Sequence, residues 1–197
     1  MLDASIDADD VADLHQLRAL QGAAAGDEAA FAALWRSLHP PLVRYLRVRD
    51  PDVAEDVAAE TWLQVVRDLP GFTGDLDRFR AWLFTIARHR AIDAARARAS
   101  RPATPAGSGE EISTMHVASA ESEALDRVTT AAALRIVADL PPAQAEMVML
   151  RVVGGLDVAT VAAVVGKKPG TVRVAVHRAL QTLAQDPRLR AAQEERR

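Results

Sequence analysis

The stretch GLDVATVAAVVGKKPGTVRVAVHRAL, residues 155–180, predicts two short helices joined by a tight turn. Asp157 is a suitable cap for the first helix, Gly166 permits a sharp turn, and Pro169 favours the start of the second helix. The pattern is typical of a helix-turn-helix, whose second helix enters the major groove of DNA. That second helix would bury an apolar stripe made of Val172, Val176, Ala179, Leu180 and Leu183.

The outer face of this second helix is polar and basic, and we expect it to contact DNA. Between Lys167 and Arg178 there are four basic residues and no acidic residue. Arginine side chains in such a position bind guanine edges or phosphates. The alternative is a helical hairpin whose basic residues only keep the surface soluble. The predicted DNA-contacting residues are Lys167, Lys168, Thr171, Arg173, Val174, His177 and Arg178.

The whole chain of 197 residues is 49% hydrophobic but only 4% aromatic, a mixture that favours helices over strands. We therefore predict an all-α fold: two small helical domains joined by a flexible linker, with the helix-turn-helix in the C-terminal domain. An acidic segment with helical potential occupies 1–25, and whether it belongs to the fold or forms a tail is left open. The first domain is predicted at 26–98, the linker at 99–121, the second domain at 122–190 and a C-terminal tail at 191–197.

Composition also argues against several classes of protein. The absence of Cys excludes disulfides, thiolate metal sites and cysteine nucleophiles. No apolar run approaches the roughly 20 residues that span a bilayer, and the N-terminus is acidic, so we expect a cytoplasmic protein. The five His are scattered without metal-ligand spacing, and no Gly-rich phosphate loop is present. We therefore expect no metal, no cofactor and no enzymatic activity.

A helix predicted from about Asp52 to Leu69 has an acidic outer side with Leu63 in its middle. An exposed leucine among acidic residues is typical of a docking site for a basic partner helix, although acidic rows are often only solvated. Pro40 and Pro41 are expected to kink or restart the helix that precedes it. The candidate docking residues are Asp52, Asp56, Glu60, Leu63 and Gln64.

A third predicted helix, from about Asp77 to Arg98, is strongly basic. Residues 78–101 contain seven Arg and one Asp, together with several aromatic residues. Cations that follow the backbone and surfaces that accept unstacked bases are typical of single-stranded DNA binding, whereas Phe79 and Trp82 also fit a plain core. Arg90 falls on the inner stripe and is expected to pair with Asp93. The candidate residues on the outer half are Arg80, Trp82, Thr85, Arg88, His89 and Arg96.

Three runs of sequence resemble the bacterial extracytoplasmic-function sigma factors. They are DPDVAEDVAAETWLQVV at 50–66, FTGDLDRFRAWLFTIARHRAIDAARAR at 72–98 and LPPAQAEMVMLRVVGGLDVATVAAVVGKKPGTVRVAVHRAL at 140–180. The resemblance implies that 26–98 is sigma region 2 and that 122–190 is sigma region 4. It further implies that the acidic helix docks on the clamp helices of the largest subunit of RNA polymerase. The basic helix would recognise and melt the minus-ten element, and the Thr171–Arg178 helix would read the minus-thirty-five element.

The implied partners are core RNA polymerase, which is contacted at the clamp helices and the flap, promoter DNA, and an anti-sigma factor. Such anti-sigma factors are often anchored at the membrane.

Three residues depart from the family pattern. Ala59 and Val66 replace a common Gln and Trp in the docking segment, and His89 replaces an Asn beside the captured base. A neutral imidazole donates and accepts hydrogen bonds as an amide does. The alternative to a sigma factor is an autonomous helix-turn-helix transcriptional regulator, which would bind its duplex without polymerase.

Overall fold

A computed structural model describes residues 8–100 and 130–189, and the regular structure within these ranges is entirely helical. The predicted all-α fold of two helical domains is thereby confirmed. Residues 101–121 of the predicted linker and the predicted tail at 191–197 lie outside the described residues. The helices are α1 (Ala8–Ala24), α2 (Glu28–Arg49), α3 (Ala54–Asp68), α4 (Leu76–Ala99), α5 (130–138), α6 (Pro142–Val148), α7 (Val158–Val165) and α8 (Pro169–Gln185).

Helices α1 to α4 enclose a core that is centred on α2. Leu34, Leu42 and Tyr45 of α2 are fully buried, and Phe79 of α4 is buried against the same core. Helix α1 packs along α2 and also contacts α4, with Leu20 buried at the junction. The acidic N-terminal segment, as far as it is described, is therefore part of the folded domain.

Helix α2 continues through Pro40 and Pro41, so of the predicted kink or restart of this helix the restart is wrong. The two prolines lack the N–H groups that would bond to the carbonyls one turn earlier. The leucines on either side, Leu38 and Leu42, nevertheless remain buried in the core. We infer that packing of this apolar stripe outweighs the two missing hydrogen bonds.

Helices α5 to α8 form the second group, in which α8 packs on α6 and α7. Val161 of α7 and Val172 of α8 are fully buried between them. The predicted helix at 142–153 keeps its α-helical hydrogen bonds only to Val148 and ends in a π-helical turn, Met149–Val153. Leu180, which was expected in the core, is 44% exposed. Its neighbour Ala179 takes the core-facing position, and Leu180 lies about 100° further around the helix.

The two helical groups pack against each other. Helices α2 and α4 contact α6, the π-helical turn and α7. At this junction Gly154 has an ordinary φ of −76°. A methyl group on it would lie 2.7 Å from the carbonyl oxygen of Leu150 and 3.2 Å from the ring of Phe84. Close approach, rather than backbone conformation, therefore demands glycine here.

Residues 8–100 and 130–189 contain neither a helix that could span a membrane nor a cluster of side chains that could hold a metal ion. No helix there is both long enough and apolar enough to cross a membrane. Within the same ranges, His, Asp and Glu do not gather in groups of three that could hold a metal ion.

Candidate nucleic-acid interface

The turn between α7 and α8 has the geometry of a helix-turn-helix. Asp157 caps α7, because its carboxylate accepts a hydrogen bond of 2.6 Å from the backbone N–H of Thr160. This bond lowers the pKa of Asp157, so the cap stays ionised at the positive end of the helix. Gly166 ends α7 with a φ of 68°, in the left-handed region that favours glycine. Pro169 then begins α8, as the sequence predicted.

All seven residues predicted to contact major-groove DNA are exposed; two precede α8 and five lie on its outer face. Val174, in the middle of this face, is 50% exposed despite being apolar. A shallow cleft of about 460 Å³ opens beside it, and Gln144 of α6 contributes one wall, a residue that sequence reasoning missed. The exposed set is Lys167, Lys168, Thr171, Arg173, Val174, His177 and Arg178.

The outer face of α3 combines acidic and apolar residues. Asp56 and Glu60 are exposed, and Leu63 between them and the end of the helix is 71% exposed. Val66, one turn further on, is 53% exposed. Together Leu63 and Val66 form an apolar patch beside carboxylates, which is a surface suited to a basic helix with an apolar stripe. The prediction from the sequence noted Val66 only as a departure from the family pattern. Its spacing of three residues from Leu63 would have placed both side chains on one face of the helix.

Two of the candidate docking residues lie elsewhere than expected. Asp52 is in the turn before α3, which begins at Ala54, and it is exposed there. Gln64 is half-buried, and its side-chain oxygen accepts hydrogen bonds from Arg90 of α4 at 3.0 and 3.3 Å. The predicted pair of Arg90 with Asp93 is wrong, because Arg90 points to α3 and Asp93 instead lies 3.6 Å from Arg96.

The outer half of α4 is only partly free, which corrects the expectation for its arginines. Arg80 donates hydrogen bonds to Asp13 at 2.6 Å and to Gln16 at 2.8 Å, both on α1. Arg88 donates to Glu146 of α6 at 3.1 Å. The side chains of Arg80 and Arg88 are 16% and 22% exposed. Arg80 is covered by α1, and Arg88 is held by its hydrogen bond to Glu146 of α6.

The remaining candidates on α4 divide between surface and core. His89 and Arg96 are exposed. Thr85 is half-buried and donates its hydroxyl to the carbonyl of Ala81. Trp82 is half-buried and stacks on Phe72, with ring centroids 5.2 Å apart. Phe79, by contrast, is a core residue.

One cluster of polar residues at the junction was not found from the sequence. Glu146 accepts hydrogen bonds from the hydroxyl of Tyr45, from Arg49 and from Arg88. Burial, reinforced by the charge of Glu146, raises the pKa of Tyr45 far above its usual value, so the hydroxyl remains a donor. The available signal was Glu146 itself, a single acid within the apolar run AEMVML.

Both helical groups match known protein families. Residues 34–101 match Sigma-70 region 2, and residues 130–183 match Sigma-70, region 4. The chain is 37% identical over 167 residues to the ECF RNA polymerase sigma factor SigD of Mycobacterium tuberculosis, covering 82% of this chain and 78% of SigD. It is 36% identical over 168 residues to the ECF RNA polymerase sigma factor BldN of Streptomyces coelicolor. That match covers 84% of this chain but only 63% of BldN.

The fold is also that of a solved sigma factor. In the structure of the sigma factor RpoE with the anti-sigma factor NepR from Bartonella quintana, the similar chain has a TM-score of 0.54 and 21% identity. The similarity covers 78% of this chain and 93% of that chain. The order of the helical groups, the two family matches and the identity to SigD agree with one another. The chain therefore belongs to the extracytoplasmic-function sigma factors of the sigma-70 family.

Proposed function

We propose that this protein directs core RNA polymerase to specific promoters and helps to open the DNA for initiation of transcription. In this role the protein performs no catalysis itself, because the polymerase supplies the chemistry. The observation that carries the proposal is the presence, in one chain of this family, of two different exposed surfaces. One is the basic face of α8, and the other is the acidic and apolar face of α3.

The face of α8 is proposed to read the minus-thirty-five element. It offers a helix of the right size for the major groove and two exposed arginines, Arg173 and Arg178, that suit guanine edges. Lys167 and Lys168 precede the helix and suit the phosphate backbone. The exposed Val174 is suited to an apolar contact with a thymine methyl group.

The outer half of α4 is proposed to recognise the minus-ten element. Arg96 and His89 are exposed for this role, and Trp82 presents a half-buried ring. Arg80 and Arg88 belong to the same face, but their side chains are hydrogen-bonded to residues of α1 and α6. Their contribution to DNA binding therefore requires these contacts to open.

The proposed partners are core RNA polymerase, promoter DNA and an anti-sigma factor of the kind that is often anchored at the membrane, and the protein itself is proposed to act in the cytoplasm. Leu63 and Val66, with Asp56 and Glu60, would dock on the clamp helices of the largest subunit, and region 4 would contact the flap. An anti-sigma partner is supported by the RpoE structure, in which the sigma factor is bound to NepR.

Run-off transcription with purified core polymerase on a promoter library tests the proposal. We expect the protein to direct discrete start sites that core polymerase alone does not produce. Binding to duplex promoter DNA without polymerase should be weak. Tight binding to a specific duplex by the protein alone, with no start-site selection, would instead indicate an autonomous helix-turn-helix regulator.

A further inference from the structure

A polar contact between the two helical groups is centred on a single carboxylate. The side chain of Glu146 on α6 is only 12% exposed. Its Oε1 accepts hydrogen bonds from the Tyr45 hydroxyl at 3.1 Å, from Arg88 Nε at 3.1 Å and from Arg49 Nη1. The three donors come from α2 and α4, so each bond joins region 4 to region 2.

This cluster differs from the other ion pairs in the described ranges through its burial. The pair of Arg47 with Glu55, for example, leaves both side chains more than half exposed. Such an exposed pair contributes little to stability, whereas removal of one partner of a buried pair leaves an uncompensated charge and strongly weakens the contact. Among the ion-paired residues of the junction, Glu146 is therefore the one on which docking should depend most.

The three donors also form a site for an anion on region 2. Two arginine side chains and a hydroxyl converge on one oxygen, and arginine binds carboxylate and phosphate oxygens with the same geometry. Arg88 belongs to the face of α4 that is proposed to bind minus-ten DNA. In the described structure these donors bind a carboxylate of the chain itself.

We propose that Tyr45, Arg49 and Arg88 form a binding site for a phosphodiester of promoter DNA, and that Glu146 occupies this site while region 4 is docked on region 2. The proposal rests on the proposed function for the identity of the DNA. Binding of DNA at this site requires Glu146 to leave, so docking of region 4 lowers the affinity of the free protein for DNA. The observed affinity for DNA equals the affinity of the open form multiplied by the fraction of molecules in which the site is open.

The docked arrangement can be tested by distance measurements in a chain that has no Cys of its own. Spin labels attached at Ala29→Cys on α2 and Gln181→Cys on α8 report the separation of the two regions by double electron–electron resonance. We expect Glu146→Gln to broaden and lengthen the distance distribution. Tyr45→Phe removes one donor, keeps the ring, and should produce a smaller change in the same direction. Glu55→Gln is the matched control and should leave the distances at the values of the otherwise unmodified protein.

The phosphate site is tested by anisotropy with a fluorescein-labelled oligo-dT, without polymerase. We expect Glu146→Gln to raise the affinity about tenfold. The slope of log affinity against log salt should become steeper by about 0.7, the value for one additional phosphate contact on a single strand. Arg49→Gln in the Glu146→Gln background should restore the original slope, whereas Glu55→Gln should change neither quantity. Circular dichroism establishes that each variant keeps its helical content.

The results separate the parts of the proposal. Unchanged distances and an affinity within twofold of wild type for a folded Glu146→Gln variant would overturn it. Longer distances with an unchanged salt slope would overturn the phosphate site, because the regions would then separate without a gain of DNA contact. Failure of the wild-type protein to select start sites would contradict the proposed function while leaving the distance results intact.

Discussion

Substitution of Leu63 by Glu tests the docking face of α3 with little risk to the fold. The side chain is 71% exposed, so the isolated protein loses almost no packing when it is replaced. Full burial of a leucine side chain is worth about 1.5–3 kcal/mol. If docking covers the part that is now exposed, loss of this contact weakens binding by about 1–2 kcal/mol. An unpaired carboxylate in the contact adds at least about 1 kcal/mol.

The expected total of at least about 2 kcal/mol corresponds to about a thirtyfold rise in the Kd for core polymerase. Anisotropy of the labelled protein titrated with core polymerase measures this change. Leu63→Ala should show only the first part of the effect, about fivefold to thirtyfold. Leu14→Glu on α1 is the control, since Leu14 is also exposed, at 50%, but lies outside the proposed docking face.

Thermal unfolding by circular dichroism should give the same Tm for Leu63→Glu and wild type. A Kd within twofold of wild type, with an unchanged Tm, would refute the assignment of α3 as the docking face. A similar loss of binding for Leu14→Glu would show that the effect is not specific to that face.

Further predictions concern the helix-turn-helix, the junction and the response to pH. Arg173→Ala should weaken binding to the minus-thirty-five element by about 1–3 kcal/mol. Run-off assays should show this as a lower transcript yield from promoters that depend on that element, and an equal yield would contradict the role of Arg173 in reading bases. Asp157→Ala should lower the free energy of unfolding by about 1 kcal/mol in urea titrations, because α7 loses its cap. Gly154→Ala should lower it by about 1–3 kcal/mol, because the added methyl group has no space, whereas Gly170→Ala, with nothing within 4 Å, should not destabilise the protein. Burial lowers the pKa of His39 in the folded state, so protonation favours the unfolded chain, and stability should fall as the pH drops below about 6.5. His39→Gln should make this pH dependence shallower, and an identical dependence would exclude the histidine as its source.

Much of the candidate site could be predicted because its determinants are local. Asp157, Gly166 and Pro169 each act within one helical turn of their own position, and the structure gives all three the expected roles. The same holds for Leu63, whose exposure follows from its place opposite the buried stripe of α3. In these cases the period of the helix alone determines which side faces the core.

Predictions that depend on a neighbouring helix were less successful. Arg90 was assigned a partner on its own helix, whereas it reaches Gln64 on α3. Arg80 and Arg88 were expected at the surface, but helices distant in sequence cover them. A periodic pattern identifies the outer side of an isolated helix and carries no information on what packs there.

The sequence by itself determined that this protein is helical and where its helix-turn-helix lies, because capping, turn chemistry and helical periodicity act over a few residues. Its family was indicated separately, by the resemblance of three runs of sequence to the extracytoplasmic-function sigma factors. Only the tertiary structure decided that Glu146 lies between Arg49 and Arg88. These contacts join residues 97 and 58 positions apart, and their formation depends on how two complete helical groups fit together.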